Sequence, residues 1–160
     1  MKTRLQAAAA VLLGAVALAS CATPRSYLSE EVVPSPTVPA NVLLYLSNQT
    51  SEGGYDHVVL TVYVDGVLTV RRSMKSVFVH ALPRAHDFPD EIPLRLSPGS
   101  HTIRVTAEGT TASAETQVVV SDAPVHVNAA FFYGTDCLRE GGPPKASVTI
   151  HVSAERPGFC

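Results

Sequence analysis

Apolar residues recur at every second position over residues 57–64, where Val58, Leu60, Val62 and Val64 share one face. A period of two is the pleat of a half-buried strand. Asp65-Gly66 follows at once, the pair best suited to the two positive-φ positions of a tight hairpin turn, so residues 67–72 are predicted to run back beside the first strand. The same period returns in Ile92, Leu94 and Leu96, in Ile103, Val105 and Ala107, and in Val148, Ile150 and Val152. Residues 41–47, 115–121 and 125–133 complete the set, and a short apolar piece at 77–79 is a further candidate. Pro93 confines its strand to an edge or a strand start, because proline has no N–H to give a ladder. Ser97-Pro98-Gly99-Ser100 and Asp122-Ala123-Pro124 are turn chemistry, and residues 81–91, with two prolines and several charges, are a loop. Eight or nine short strands at regular spacing, with no helical period, predict an all-β sandwich over residues 41–160.

The chain of 160 residues is one domain's worth, with 46% hydrophobic and 16% charged residues. Disorder is excluded by the low charge, since an unfolded chain needs high charge and little apolar content. Twelve basic residues stand against fourteen acidic ones. That balance argues against a nucleic-acid binder, which gains affinity from a basic surplus and counterion release.

Before the strands, residues 1–20 read as an export signal. Lys2 and Arg4 precede an Ala-rich apolar run over residues 5–18, too short for a membrane-spanning helix of ~20 residues. The run ends in Leu18-Ala19-Ser20-Cys21, which resembles the lipobox of bacterial lipoproteins. The resemblance implies cleavage before Cys21, acylation of its thiol, and attachment to a lipid bilayer. A plain signal peptide with a nearby cysteine is the alternative. In enterobacterial-type lipoproteins an Asp after the cysteine retains the protein at the inner membrane. Ala22 stands there, so the resemblance implies the outer membrane, with the domain facing either the periplasm or the surface. Residues 21–40 carry Pro24, Pro34, Pro36 and Pro39 and read as an extended, lipid-bearing tether with a maximal reach of ~60 Å at ~3.1 Å per residue.

Three cysteines are present. With Cys21 lipidated, Cys137 and Cys160 remain, and an even pair in an exported protein reads as one disulfide, worth roughly 3 kcal/mol for a loop of this length. Two free thiols are the alternative.

Val64-Asp65-Gly66, followed by Leu96-Ser97-Pro98-Gly99-Ser100-His101-Thr102-Ile103-Arg104-Val105, resembles small immunoglobulin-like or PEGA-like surface modules. It covers about a third of the chain beyond the signal, and implies a sandwich with a structural or adhesive role. The general plan of anchor, spacer and strand-rich body also resembles secretion-system lipoproteins with transthyretin-like sandwiches.

Few residues along the chain are spaced for chemistry. Six histidines occur singly along the chain. His126 and His151 occupy polar-facing positions of the last two strands, and antiparallel pairing would bring them near each other. A metal usually takes three or four ligands, and no Asp, Glu or Cys is spaced to complete a site, so a metal- or small-ligand-binding module is the alternative function and no cofactor is expected. No Gly-x-Ser-x-Gly, Ser-x-x-Lys or phosphate-binding glycine loop occurs, and no enzymatic activity is expected. Asn48-Gln49-Thr50 matches a glycosylation sequon, which a bacterial lipoprotein gives little meaning. Alternation places one of Phe131 and Phe132 outside, and Phe88 stands among charges and prolines in the 81–91 loop. Phe132 and Phe88 are therefore the expected contacts for a protein partner. The leading expectation is a non-enzymatic outer-membrane lipoprotein, acting as a structural or adaptor part of a secretion, motility or surface assembly.

Overall fold

The computed structural model describes residues 31–34, 37–50, 54–77, 90–134 and 143–156. Eight strands form among them: β1 (Val42–Asn48), β2 (His57–Val64), β3 (Val67–Lys75), β4 (Asp90–Leu94), β5 (Gly99–Ala107), β6 (Ser113–Val120), β7 (Val125–Gly134) and β8 (Lys145–Ser153). They build two four-stranded sheets, one ordered β4-β1-β7-β8 and the other β3-β2-β5-β6. The protein is a β-sandwich.

The β2–β3 hairpin turns on Asp65 (φ 51°) and Gly66 (φ 81°), the two positive-φ positions expected of an Asp-Gly turn. The pairing slips between Val62 and Tyr63, so that Val62 faces Val70 and Tyr63 faces Leu68, with Thr69 as the extra residue of a bulge. Alternation does the rest. Val58, Leu60, Val62 and Val64 point inward and are buried, as are Ile103, Val105 and Ala107 opposite them on β5. From the other sheet Leu44, Leu46 and Phe131 fill the same core.

Three details differ from the sequence pattern. Asp90 and Glu91, read as the end of a loop, begin β4, because Leu46 and Tyr45 offer them ladder partners. That strand ends at Leu94 rather than at Leu96. Val77 belongs to no strand; its N–H donates to the Asn48 carbonyl at 3.0 Å, and the remainder of the 77–79 piece lies outside the described residues. Pro93 does sit on an edge strand, where its missing N–H costs no ladder bond.

Chain order and sheet order are not the same. The Pro98-Gly99 turn does not join a hairpin: β4 lies in the β1 sheet and β5 in the β2 sheet, so the turn carries the chain across the sandwich. Asp122-Ala123-Pro124 does likewise between β6 and β7. β7 returns beside β1 in parallel, with Leu44 opposite Val127 and Asn48 opposite Phe131. β1 is thereby central, with β4 on one side and β7 on the other. Its nearly unbroken apolar run follows from that position, since both of its faces are covered.

Candidate functional site

Three polar constellations stand out; the sequence marks the histidines of the first as a candidate site, and residues of the other two only as turn segments and as a sequon. It lies on the side of the β1 sheet turned away from the core. Tyr45 faces Glu91 of β4 and Asn128 of β7, and Asn128 in turn faces His151 of β8. One step along, His126 faces Leu43 and Ser153. The antiparallel pairing of β7 and β8 therefore puts His126 and His151 on one face, as diagonal neighbours about 7–8 Å apart by ladder geometry. His126 is already engaged. Its ring stacks on Tyr45 with centroids 5.9 Å apart, and its Nδ1 lies 3.1 Å from the Tyr45 hydroxyl. Among the described residues no group of three His, Cys, Asp or Glu is placed to hold a metal ion.

Tyr45 is only 1% exposed although it points outward. Past β8 the chain doubles back across this face, and Arg156 pairs with Glu91 at 3.1 Å. Burial first, and then the Glu91 carboxylate, push the Tyr45 phenol above its ordinary value of 10.0. Asn128 Oδ1 is buried without a hydrogen-bond donor among the described residues. Phe132 lies on the same side, opposite Ser147, and is half-buried, whereas Phe131 points inward and is buried. Cys21, Phe88, Cys137 and Cys160 lie outside the described residues.

The second constellation ties the hairpin tip to the start of β5. His101 Nδ1 lies 2.6 Å from Asp65 Oδ2, and its Nε2 lies 2.8 Å from the Ser97 carbonyl oxygen. Asp65 Oδ1 also accepts the Thr102 N–H at 2.8 Å. Aspartate, histidine and serine have the composition of a nucleophilic triad, but the geometry is that of a clamp. The Ser97 hydroxyl is 3.4 Å from Nε2, further than the carbonyl that Nε2 serves. A protonated imidazole donates at both ends, to a carboxylate and to a carbonyl. This gives the Val-Asp-Gly and Pro-Gly-x-His segments a shared physical purpose: they meet in space and lock two turns together.

The clamp predicts a pH dependence. The Asp65 contact, then the Ser97 carbonyl, raise His101 above its ordinary value of 6.5. The Thr102 N–H, then His101, hold Asp65 below its ordinary value of 3.8. The histidine contributes stability in full below about pH 6.5 and loses it as pH rises through the raised value. Asp65 contributes in full above about pH 4 and loses it as pH falls through the lowered value. The Tm difference between the natural protein and His101→Ala is expected to be widest between about pH 4 and 6.5 and to narrow toward pH 9. A difference that stays constant from pH 5 to 9 would show that the imidazole acts by packing alone.

The third constellation is internal. Asn48 Nδ2 donates to the carbonyls of Tyr55 (2.9 Å) and Met74 (3.3 Å), and its Oδ1 accepts from the Thr50 N–H (3.1 Å) and hydroxyl (2.6 Å). The Ser76 hydroxyl donates to the Thr50 carbonyl at 2.8 Å. Asn48, Thr50 and Ser76 are all buried. The sequon is thus a structural polar knot, closed to a glycan in the folded protein.

A β-sandwich with one parallel strand pair and no assembled catalytic or metal constellation among the described residues is the class the fold defines. No family model matches the chain, and neither a curated protein nor a solved structure matches it.

Proposed function

We propose that the protein is a lipid-anchored, non-enzymatic component of a bacterial outer-membrane assembly, with an immunoglobulin-like or transthyretin-like sandwich acting as an adaptor. The observation that carries this reading is Leu18-Ala19-Ser20-Cys21 at the end of a short apolar run, upstream of a strand-rich body. Acyl chains contribute ~0.8 kcal/mol per buried methylene, and two or more hold a protein stably on a bilayer. A sandwich supports the adaptor role because it presents rigid edges and loops, the usual places of recognition. Val67 and Val119, 67% and 72% exposed, are apolar side chains on such surfaces. Phe88 and Phe132 are the proposed partner contacts, and Cys137–Cys160 the proposed disulfide.

Cys21→Ser tests the anchor. The natural chain is expected to incorporate labelled fatty acid and to fractionate with the outer membrane. The variant is expected to incorporate none and to keep residues 1–20. Equal labelling of the two would overturn the proposal.

One observation favours a second reading, a small-ligand module on the outer face of the β1 sheet. Asn128 Oδ1 is a buried acceptor in want of a donor, flanked on β8 by His151, which is exposed. Stoichiometric binding of a divalent metal or small amine, lost in His126→Ala and His151→Ala, would favour it over the adaptor.

A further inference from the structure

The two sheets end in four edge strands, and three of these are guarded. On β3 the Val32 N–H donates to the Arg71 carbonyl at 3.0 Å, and the Arg71 N–H donates back to the Val32 carbonyl at 2.8 Å. Beside that bridge a Glu31 carboxylate oxygen accepts the Ser73 N–H at 3.2 Å. β4 carries Pro93, and β6 carries Glu115. Such devices keep an edge from pairing with another chain, and β8 has none of them. It pairs with β7 residue for residue from Lys145 to Ser153, without bulge, proline or glycine. Its one formal charge at neutral pH is Lys145, at the end of the strand.

The outward backbone groups of β8 follow from the ladder on β7. The Val125 N–H donates to the Asn41 carbonyl at 3.0 Å, and the Phe131 carbonyl accepts the Gln49 N–H at 2.7 Å. Odd-numbered residues of β7 therefore turn their backbone groups to β1, and even-numbered ones turn theirs to β8. The latter lie opposite Lys145, Ser147, Thr149, His151 and Ser153. That leaves the N–H and C=O groups of Ala146, Val148, Ile150 and Val152 pointing away from β7, where no strand lies among the described residues. The side chains of these four face the core and yet are only half-buried. Ala114 and Thr116 of β6, which lies against β8 across the sandwich, are half-buried too. On the other face Ser147, Thr149 and His151 are exposed. Past Ser153 the chain turns away, and Arg156 reaches Glu91 of β4 at the opposite edge of the sheet.

We propose that β8 is a homodimer interface, pairing antiparallel with β8 of a second copy about a two-fold axis at Thr149. The outward backbone groups of Ala146 then meet those of the second copy's residue 152, and those of Val148 meet its residue 150. Every outward N–H and C=O of the strand finds a partner in that register, and apolar side chains lie beside apolar ones on the core face. The two Lys145 ammonium groups fall at opposite ends of the joint, about 27 Å apart along the strand, whereas parallel pairing would set them side by side. Two four-stranded sheets become one continuous sheet, and the half-buried residues of β6 and β8 are covered from both copies. The contact is isologous, so it consumes the edge and closes at two chains. It goes beyond the adaptor reading and does not rest on it.

Sedimentation equilibrium of the full chain, in excess detergent micelles so that an anchor does not hold copies together, is expected to show a monomer–dimer equilibrium. Its Kd is expected on the order of 10 µM, suited to a small strand-edge contact. Thr149 is exposed, so Thr149→Lys and Thr149→Glu leave the monomer intact. Each alone sets like charges across the axis and is expected to weaken the dimer at least threefold, whereas an equimolar mixture of the two recovers it. Thr149→Cys is expected to give an oxidised dimer bonded between the two copies of position 149, because a non-hydrogen-bonded pair brings the Cα atoms to about 4.5 Å. The Val148 and Ile150 amides are expected to exchange at least tenfold more slowly in the dimer than in the monomer, and those of Ser147 and Thr149, which face β7, to change little. A chain that stays monomeric at about a hundredfold that Kd overturns the proposal and leaves the edge to a strand of another protein. A dimer indifferent to both charged substitutions overturns it as well, because another surface then holds the copies. Failure to acylate Cys21 changes none of these results and bears on the anchor alone.

Discussion

Phe131→Ala is expected to lower the free energy of unfolding by about 3–5 kcal/mol, read from urea or thermal unfolding. Phe131 is buried on the inner face of β7, between Asn48 of β1 and Val148 of β8. Tyr55 meets its ring edge-on at 5.5 Å, and Tyr133 lies 4.6 Å from Tyr55, so one truncation opens a hole under an aromatic group of three. Strands on both sides fix the backbone, which limits collapse into the hole. Domains are stable by only about 5–15 kcal/mol in total, so the loss is a large share. Phe132→Ala removes a half-buried ring from the other face and is expected to cost about 1 kcal/mol or less. Equal losses from the two substitutions would contradict the assignment of faces along β7.

The second large effect is expected at Asn48. Asn48→Ala deletes four hydrogen bonds at once; the Met74 carbonyl keeps its ladder position opposite Val58, but the Tyr55 carbonyl and the Thr50 amide and hydroxyl lose their Asn48 partner. A buried polar group left unpaired costs ~1–3 kcal/mol, so a loss of roughly 3 kcal/mol or more follows even after partial relaxation. Asn48→Asp keeps the acceptor for Thr50 but replaces the donor with an oxygen facing two carbonyls. It is expected to destabilise more at pH 8 than at pH 4, because protonation restores one donor. The Asn48 pair of variants separates a structural knot from a modification site. If unfolding curves match those of the natural chain, the knot contributes nothing and the buried network is not as drawn.

The two predictions differ in how visible their residues are from the chain alone. Phe131 falls where alternation puts a core residue. Asn48 reads only as part of a three-residue motif, because its carbonyl partners come from loops and strands that folding brings to it. The outer-face cluster lies between these cases. His126 and His151 are legible as polar positions of the last two strands. Tyr45 is not, because nothing local marks an outward residue as buried; the tail returning from β8 to pair Arg156 with Glu91 is a long-range event.

The sequence by itself determined the eight strands and most of their inward residues, because a period of two, Asp-Gly and proline act within a few residues of themselves. It also determined the hairpin at Asp65-Gly66 and confined the Pro93 strand to an edge or a strand start, from the backbone chemistry of those residues; the sheet order then made it an edge. Only the tertiary structure decided which strands share a sheet. Pro98-Gly99 is as good a turn between sheets as within one, and its flanking strands separate because β4 finds β1 while β5 finds β2. Tertiary packing also decided the parallel pairing of β1 with β7, the clamp of Asp65 on His101, and the landing of Glu31-Val32 on β3. Each of these joins segments far apart in the chain, and its energy exists only once two sheets have closed on a common core.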